Sequence, residues 1–193
     1  MVEFIGDYVE FDDHSDYLII SISSTKSSIQ EQLRNNRLSS NFLGDYWVTI
    51  LSKPENIIKE NDENTKHTIH FIANELLDNA VKFNYEINKN PIKLNLYLYD
   101  NIFRIYVTNS INPNHINKFK EFIKTLLSKD TQELYVQQVE SNVHQKDNSI
   151  SKLGFLTMIN DYDVKFAWKF YREPKNSSVF VTIMAEMPPI SRI

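Results

Sequence analysis

Three polar residues whose spacing suits phosphate chemistry lie near the middle of this sequence. Glu75, Asn79 and Lys82 are four and three positions apart, so in an α-helix their side chains lie within about 60° of one another. A carboxylate can accept a proton, an amide oxygen can hold a divalent cation and an ammonium can pair with phosphate. The triplet therefore allows metal-assisted phosphate chemistry, although such charged residues are also typical of an ordinary helix edge in water.

The segment around this triplet has the period of a helix that packs on a core. Apolar residues recur three and four positions apart, which predicts a helix over residues 63–88, closed by residues 88–91. The triplet then lies along the edge of the buried stripe, where its groups are half sheltered from water and can converge on one ligand. The stripe comprises Ile69, Ile72, Ala73, Leu76, Leu77, Ala80 and Phe83.

The other segments predict the elements that must position this helix. The pattern is that of one α+β domain over residues 1–193, a two-layer sandwich with a mixed, mostly antiparallel sheet and helices on one face. Its central hairpin has one apolar face, and the exposed face of the sheet is a candidate surface for a homodimer. The predicted strands are 4–11, 17–22, 94–98, 103–108, 164–170 and 179–183. The predicted helices are 27–52 (two short helices interrupted at 39–41), 114–141 (two helices) and 151–160.

The composition excludes several classes of protein. The chain of 193 residues has three glycines and no cysteine, which excludes a P-loop, a dinucleotide-binding glycine fingerprint, disulfides, cysteine-ligated metals and a thiol nucleophile. The net charge of −4 and the lack of a Lys/Arg block argue against nucleic acid as a partner. No apolar run is as long as a membrane span and the acidic N-terminus has no signal-peptide pattern, so we expect no membrane contact and a cytoplasmic location.

The triplet belongs to a longer run that resembles the N-box of the GHKL ATPases, which have the Bergerat fold. The run Asn74-Glu75-Leu76-Leu77-Asp78-Asn79-Ala80-Val81-Lys82-Phe83 contains the pattern E-x-x-x-N-A-x-K. The resemblance implies that Asn79 holds Mg²⁺ at the phosphates of ATP, that Glu75 is the general base and that Lys82 contacts phosphate. The predicted order of the remaining elements, a hairpin, a helical lid region, a second motif and two closing strands, is also similar to that of the family.

Two further segments resemble motifs of the same family. The run Ser151-Lys152-Leu153-Gly154-Phe155 is similar to the G2 box at the start of a helix, which implies that Lys152, Leu153, Gly154 and Phe155 bind the nucleotide, because free N–H groups at a helix N-terminus suit phosphate. By itself, Gly154 is equally typical of close packing at a helix start. Ser178 is similar to a hydroxyl residue that lies near adenine. The resemblance also implies an ATP lid of approximately residues 114–152, with 142–151 as its mobile part.

Asn109 is the clearest departure from the family. The G1 box reads D-x-G-x-G, whereas this chain has Val107-Thr108-Asn109-Ser110-Ile111, with Asn109 at the position of the adenine-reading Asp and both glycines replaced. An amide oxygen can accept the adenine amino proton, but a neutral hydrogen bond is about half as strong as a charged one. The amide can also turn and donate its NH₂. We expect weaker or less selective base binding that tolerates guanine, unless Asn109 merely caps a loop.

Within the family, a compact chain of this length resembles the anti-sigma serine kinases of bacterial partner switching, and the SiaB-type protein kinases most closely. This implies phosphorylation of Ser or Thr on a small STAS-like or sigma-related protein partner, with ATP and Mg²⁺. Two alternatives stay open. The altered G1 box is consistent with a binding module that sequesters a partner without turnover, and a third interpretation is an ATPase whose nucleophile is water.

Overall fold

The structure is a computed structural model that describes residues 2–11, 16–23, 29–51, 60–85, 90–99, 102–144, 152–173 and 178–187. Within these ranges the chain forms six strands and five helices. The strands are β1 (Val2–Ile5), β2 (Asp16–Ile22), β3 (Ile92–Tyr99), β4 (Ile102–Ile111), β5 (Lys165–Arg172) and β6 (Val179–Met187). The helices are α1 (Ile29–Leu51), α2 (Glu60–Phe83), α3 (Ile116–Ser128), α4 (Thr131–His144) and α5 (Lys152–Tyr162), and a single 3₁₀ turn (Pro113–His115) precedes α3.

The strands form one sheet in the order β1-β5-β6-β4-β3-β2, and each described pair of neighbours is antiparallel. The α+β class and the two-layer arrangement predicted from the sequence are confirmed. The predicted hairpin is formed by β3 and β4, in which Leu94 lies opposite Val107 and Leu96 opposite Ile105. Strand β4 pairs with β3 on one side and with β6 on the other, so the residues near its end are held from both sides.

The helices cover one face of the sheet and form the main core with it. The buried stripe predicted for α2 is confirmed, since Ile69, Ile72 and Leu76 are fully buried. They belong to the same cluster as Ile105 of β4 and Trp168 of β5. Burying an aliphatic side chain of this size contributes about 1.5–3 kcal/mol, so this stripe fixes α2, and with it the polar triplet, against the sheet.

The opposite face of the sheet is partly covered, which corrects the prediction of a hairpin with one buried face. Tyr97 and Tyr106, which the alternation assigns to that face, are buried in a second cluster with Ala167 and Met184. The segment after β1 covers the two tyrosines, because Tyr106 Oη donates to the Val9 carbonyl at 2.8 Å and the Phe11 ring stacks on Tyr97. Alternation within β3 and β4 cannot indicate this cover, since the covering residues come from another part of the chain.

Helix α1 runs without a break, so the predicted interruption at residues 39–41 is wrong. The hydroxyl of Ser39 donates to the Asn35 carbonyl at 3.1 Å, and that of Ser40 to the Asn36 carbonyl at 2.8 Å. Such bonds to the preceding turn keep serine inside a helix. Helix α1 packs on α2, and Asn36 Nδ2 donates to Asp78 Oδ1 at 3.1 Å, which joins the two helices beside the triplet.

Two helix ends differ from the prediction. Helix α2 ends at Phe83 rather than near residue 88, because the Tyr85 N–H donates to the Ser110 carbonyl of β4 at 3.1 Å instead of continuing the helix. Helix α4 extends to His144, into the segment predicted as a mobile loop from residue 142. The rest of that predicted loop, residues 145–151, lies outside the described residues.

Candidate functional site

A cavity of about 410 Å³ lies where the end of α2 meets α3, α5 and the strands β4 and β6. Small-molecule sites in proteins typically have volumes of about 300–1,000 Å³, so the size fits a ligand such as a nucleotide. The apolar lining consists of Ala80, Phe83, Ile111, Phe119, Phe155, Val181 and Ile183. The polar lining consists of Asn79, Lys82, Asn84, Tyr85, Asn109, Asn112, His115 and Lys118.

Asn79 is the member of the triplet that is buried in the cavity wall. Its side chain is 4% exposed, and its Nδ2 has no hydrogen-bond partner among the described residues. A buried polar group left without a partner costs about 1–3 kcal/mol, and most such groups in proteins are satisfied. A ligand bound in the cavity could supply the missing partner.

Glu75 lies one helical turn before Asn79, and it is not among the residues that line the cavity. Burial raises the pKa of its carboxyl group, the nearby Asp78 carboxylate raises it further and the Lys82 ammonium partly opposes both effects. A carboxylate with a raised pKa is a stronger base at neutral pH than an exposed one. The role of Glu75 as general base stays a prediction, since Glu75 is half-buried and does not line the cavity.

Two lysines from different helices meet at the cavity. Lys82 of α2 and Lys118 of α3 are both exposed and both line it, and His115 lies in the turn before α3. The sequence pattern predicted Lys82 as a site residue, but it gave no indication of Lys118 or His115. The sequence signal for Lys118 is weak, because a lysine next to the core residue Phe119 is what any amphipathic helix shows.

Asn109 lies in β4 with its side chain 3% exposed, and it lines the cavity. Its Nδ2 donates to the carbonyl oxygen of Ser110 at 2.8 Å. Because the NH₂ group is used in this way, Oδ1 is the atom of the amide that can accept a hydrogen bond from a ligand. Asn109 and Asn79 therefore line the same cavity.

Of the other predicted site residues, one lines the cavity, three do not, and the side chain of the fifth lies outside the described residues. Phe155 of α5 is buried and lines the cavity, whereas Leu153 and Gly154 of the same helix do not. Lys152 begins α5, and its side chain lies outside the described part of the chain. Ser178 is buried just before β6, where its Oγ accepts from Asn90 Nδ2 at 3.3 Å, and it is not part of the cavity lining.

The described residues hold neither a cluster of metal-ligating side chains nor a membrane-spanning helix. No group of three or more His, Cys, Asp or Glu side chains in these ranges is arranged to hold a metal ion. A divalent cation at Asn79 would therefore need most of its ligands from a bound phosphate and from water, which is the usual coordination of Mg²⁺. None of the described helices is both long and apolar enough to cross a membrane.

Comparison with known proteins is informative about the fold. No protein-family model and no curated protein matches the chain. A chain from the crystal structure of the SiaB–SiaC complex from Pseudomonas aeruginosa is similar in structure, with a TM-score of 0.56 and 13% sequence identity. The similarity covers 88% of this chain and 89% of the other. At this identity it shows a shared fold, in agreement with the α+β, two-layer class.

Proposed function

We propose that this chain is an ATP-binding regulatory protein that phosphorylates a Ser or Thr hydroxyl of a small protein partner. One observation carries the proposal. Asn79, Lys82, Asn109 and Phe155 come from three separate segments that sequence analysis assigned to nucleotide binding, and all four line a single cavity. This convergence supports nucleotide binding, because the three segments are far apart in the sequence and meet at one cavity of suitable size.

The lining residues suit the two ends of a nucleotide. The apolar side chains of Ile111, Val181 and Ile183 offer flat contact for a purine ring, beside the acceptor Oδ1 of Asn109. Lys82 and Lys118 offer positive charge for phosphate at the exposed side. A site with apolar walls and a few fixed polar groups is typical of cofactor binding, and Asn109 and the two lysines suit the amino group and the phosphates of ATP.

The chemistry would depend on positioning and charge. Asn79 would hold Mg²⁺ together with phosphate oxygens, and the ion would supply neutralising charge for phosphoryl transfer. Lys82 and Lys118 would hold the phosphates and offset their charge as the bond to the γ-phosphoryl group lengthens. Glu75, with its raised pKa, would accept the proton of the attacking hydroxyl, with its side chain turned toward the cavity rim.

The fold comparison supports a protein partner for this chain. The similar chain comes from a crystal structure of a complex of two proteins, SiaB and SiaC. We therefore propose a small regulatory protein, STAS-like or sigma-related, as the molecule that carries the acceptor hydroxyl. The proposed role is that of a regulator in bacterial partner-switching signalling.

A second candidate function is a binding module that sequesters a partner without turnover. The position of Glu75 favours it, because a general base must reach the reacting hydroxyl and Glu75 does not line the cavity. Hydrolysis of ATP by water would also need Glu75 as the general base, so the same variants test it. Glu75→Gln distinguishes the two candidate functions. A kinase should lose phosphoryl transfer, whereas a binding module should bind its partner as before.

Calorimetric titration with Mg-ATP tests the proposal. We expect binding by the natural chain, its loss in Asn79→Ala and its retention in Asn64→Ala, a matched control because Asn64 is an exposed residue of the same helix. Transfer of labelled γ-phosphate to a STAS-like protein should disappear in Glu75→Gln while ATP binding stays. Absence of ATP binding by the natural chain would contradict every nucleotide-based function, and unchanged transfer in Glu75→Gln would contradict the role of the base.

A further inference from the structure

Exposed apolar side chains are concentrated on the face of the sheet that the helices leave open. Among the described residues thirteen large apolar side chains are exposed, and six of them belong to β1, to the segment after it (residues 6–11) and to β2. Single exposed apolar residues are normal on a monomer, whereas a contiguous group of them marks an interaction surface. The six are between 40% and 53% exposed, and they are Val2, Phe4, Val9, Phe11, Tyr17 and Ile19.

Ring contacts join this face into one aromatic ridge. The ring centroids of Phe4 and Tyr8 are 5.3 Å apart, and that of Tyr8 is 6.0 Å from Tyr106 of β4. The ridge continues from Tyr106 to Tyr97 of β3 at 5.6 Å, and from Tyr97 to Tyr17 of β2 at 5.7 Å. It therefore crosses the sheet from β1 at one edge to β2 at the other, which makes the exposed apolar surface contiguous.

Charges on this face are paired within the chain. Lys169 Nζ bonds to Glu10 and lies 5.7 Å from the centre of the Phe4 ring, and Arg104 Nε donates to Glu186 Oε2 at 2.7 Å. The whole chain has a net charge of −4, so two copies repel each other over most approaches. A face whose charges are already paired removes that repulsion. It therefore suits a second copy of the chain better than a partner that is recognised by charge.

The size of the face is also suitable for a dimer. Six strands that lie about 4.8 Å apart and extend about 20 Å give a flat area of about 600 Å². Side chains roughen the face and increase its accessible area, which is then comparable with the roughly 800 Å² that each partner buries in a stable complex. A twofold axis between two such faces would pack ridge on ridge and bury the exposed rings.

We infer that this face is the contact surface of a homodimer, in which β1, the segment after it and β2 of one copy pack on the same elements of a second copy. The cavity lies on the other side of the sheet, between the strands and the helices, so the dimer leaves both cavities free. The inference is therefore independent of the proposed function, and its test needs no nucleotide.

Sedimentation equilibrium of the natural chain at several concentrations tests this inference. We expect a dimer with a dissociation constant of about 10 μM or lower, as for other interfaces of this size. Phe11→Glu places a charge in the ridge and should weaken the dimer at least about thirtyfold, as expected for the loss of a central aromatic side chain. Phe42→Glu is the matched control, because Phe42 is a similarly exposed phenylalanine on α1, and it should change the constant less than about twofold.

A second variant covers the case in which Phe11→Glu does not fold. Ile19 is 52% exposed on the edge strand β2, so Ile19→Glu should keep the melting temperature of the natural chain and weaken the dimer about tenfold or more. A natural chain that stays monomeric at about 100 μM, well above the expected constant, would overturn the inference and leave the face to a different partner. A dimer that Phe11→Glu and Ile19→Glu weaken no more than Phe42→Glu does would overturn it as well, since the contact would then lie elsewhere.

Discussion

The substitution Asn109→Asp tests whether residue 109 must donate a hydrogen bond to the Ser110 carbonyl. Aspartate is the residue that the G1 pattern would favour, and by that pattern the change should improve base binding. In this structure, however, Asn109→Asp replaces the Nδ2 donor, 2.8 Å from the Ser110 carbonyl oxygen, with a carboxylate oxygen. A donor–acceptor pair becomes a pair of acceptors, one of them charged, at a position where the side chain is 3% exposed.

The cost can be estimated from these contacts. Loss of the hydrogen bond removes about 1 kcal/mol, and a buried charged acceptor without a donor costs about 1–3 kcal/mol more. We therefore expect the free energy of unfolding to fall by about 2–4 kcal/mol at pH 8. For a chain of this size that corresponds to a decrease in melting temperature of about 5–15 °C.

The loss should depend on pH with a defined sign. Burial and the facing carbonyl raise the pKa of the introduced carboxyl group in the folded state above its unfolded value of about 4. The folded variant then binds this proton more tightly than the unfolded chain, so the penalty is full above the folded pKa and shrinks as the pH falls toward 4. Once protonated, the group can again donate to the Ser110 oxygen.

Urea unfolding at pH 5 and pH 8 measures this difference. Asn109→Leu is the matched control, because it removes the same hydrogen bond without adding a charge and should lose stability equally at both pH values. The reasoning is refuted if Asn109→Asp is as stable as the natural chain at pH 8, or if its loss is the same at both pH values. Either result would mean that the introduced carboxylate escapes the Ser110 carbonyl and reaches water.

Three further predictions follow from individual contacts. Glu75→Gln should raise the free energy of unfolding at pH 8, because burial and Asp78 raise the pKa of Glu75 and thus disfavour its charged form in the folded state. The gain should shrink as the pH is lowered through that pKa. Equal gains in urea unfolding at pH 8 and pH 4.5 would contradict this prediction. Lys118→Ala should weaken Mg-ATP binding about tenfold in calorimetry, as expected for the loss of a charge-assisted hydrogen bond. Lys124 is an exposed lysine of the same helix that does not line the cavity, so Lys124→Ala should change the affinity less than about twofold. Tyr106→Phe removes the hydrogen bond to the Val9 carbonyl. This loss of about 1 kcal/mol should lower the melting temperature by about 2–4 °C, whereas the control Tyr135→Phe, at an exposed tyrosine, should shift it by less than about 1 °C. Equal shifts would show that the segment after β1 does not stabilise the second face of the sheet.

Much of the fold could be predicted from local pattern. The period of α2 and the alternation of β3 and β4 identified their buried faces, because burial on one side forces a regular spacing of apolar residues. The errors had two physical causes. Within α1, the hydroxyls of Ser39 and Ser40 bond to the preceding turn and stay helical. Helix α2 ends early because of a contact with a distant part of the chain, the bond of Tyr85 to Ser110 of β4.

The candidate site also combines residues that local spacing predicted with residues that only the tertiary structure identified. Spacing alone grouped Glu75, Asn79 and Lys82, since all three lie on one helix and helix geometry is fixed. Lys118 has no such relation to them in the sequence, and only the tertiary structure brings it and the end of α2 to the same cavity. The opposite case is Ser178, whose segment matched a motif but whose hydroxyl is bonded to Asn90 away from the cavity.

The sequence by itself determined which residues this protein places on the buried faces of its helices and strands, and which polar groups share an edge of α2. Those properties depend on the periods of helix and strand, which every short segment carries. Only the tertiary structure decided which polar groups from different segments meet and in which direction they point. The orientation of the Asn109 amide is the clearest case, because it depends on a carbonyl of β4 that Asn84, 26 positions from Ser110 in the chain, holds in place.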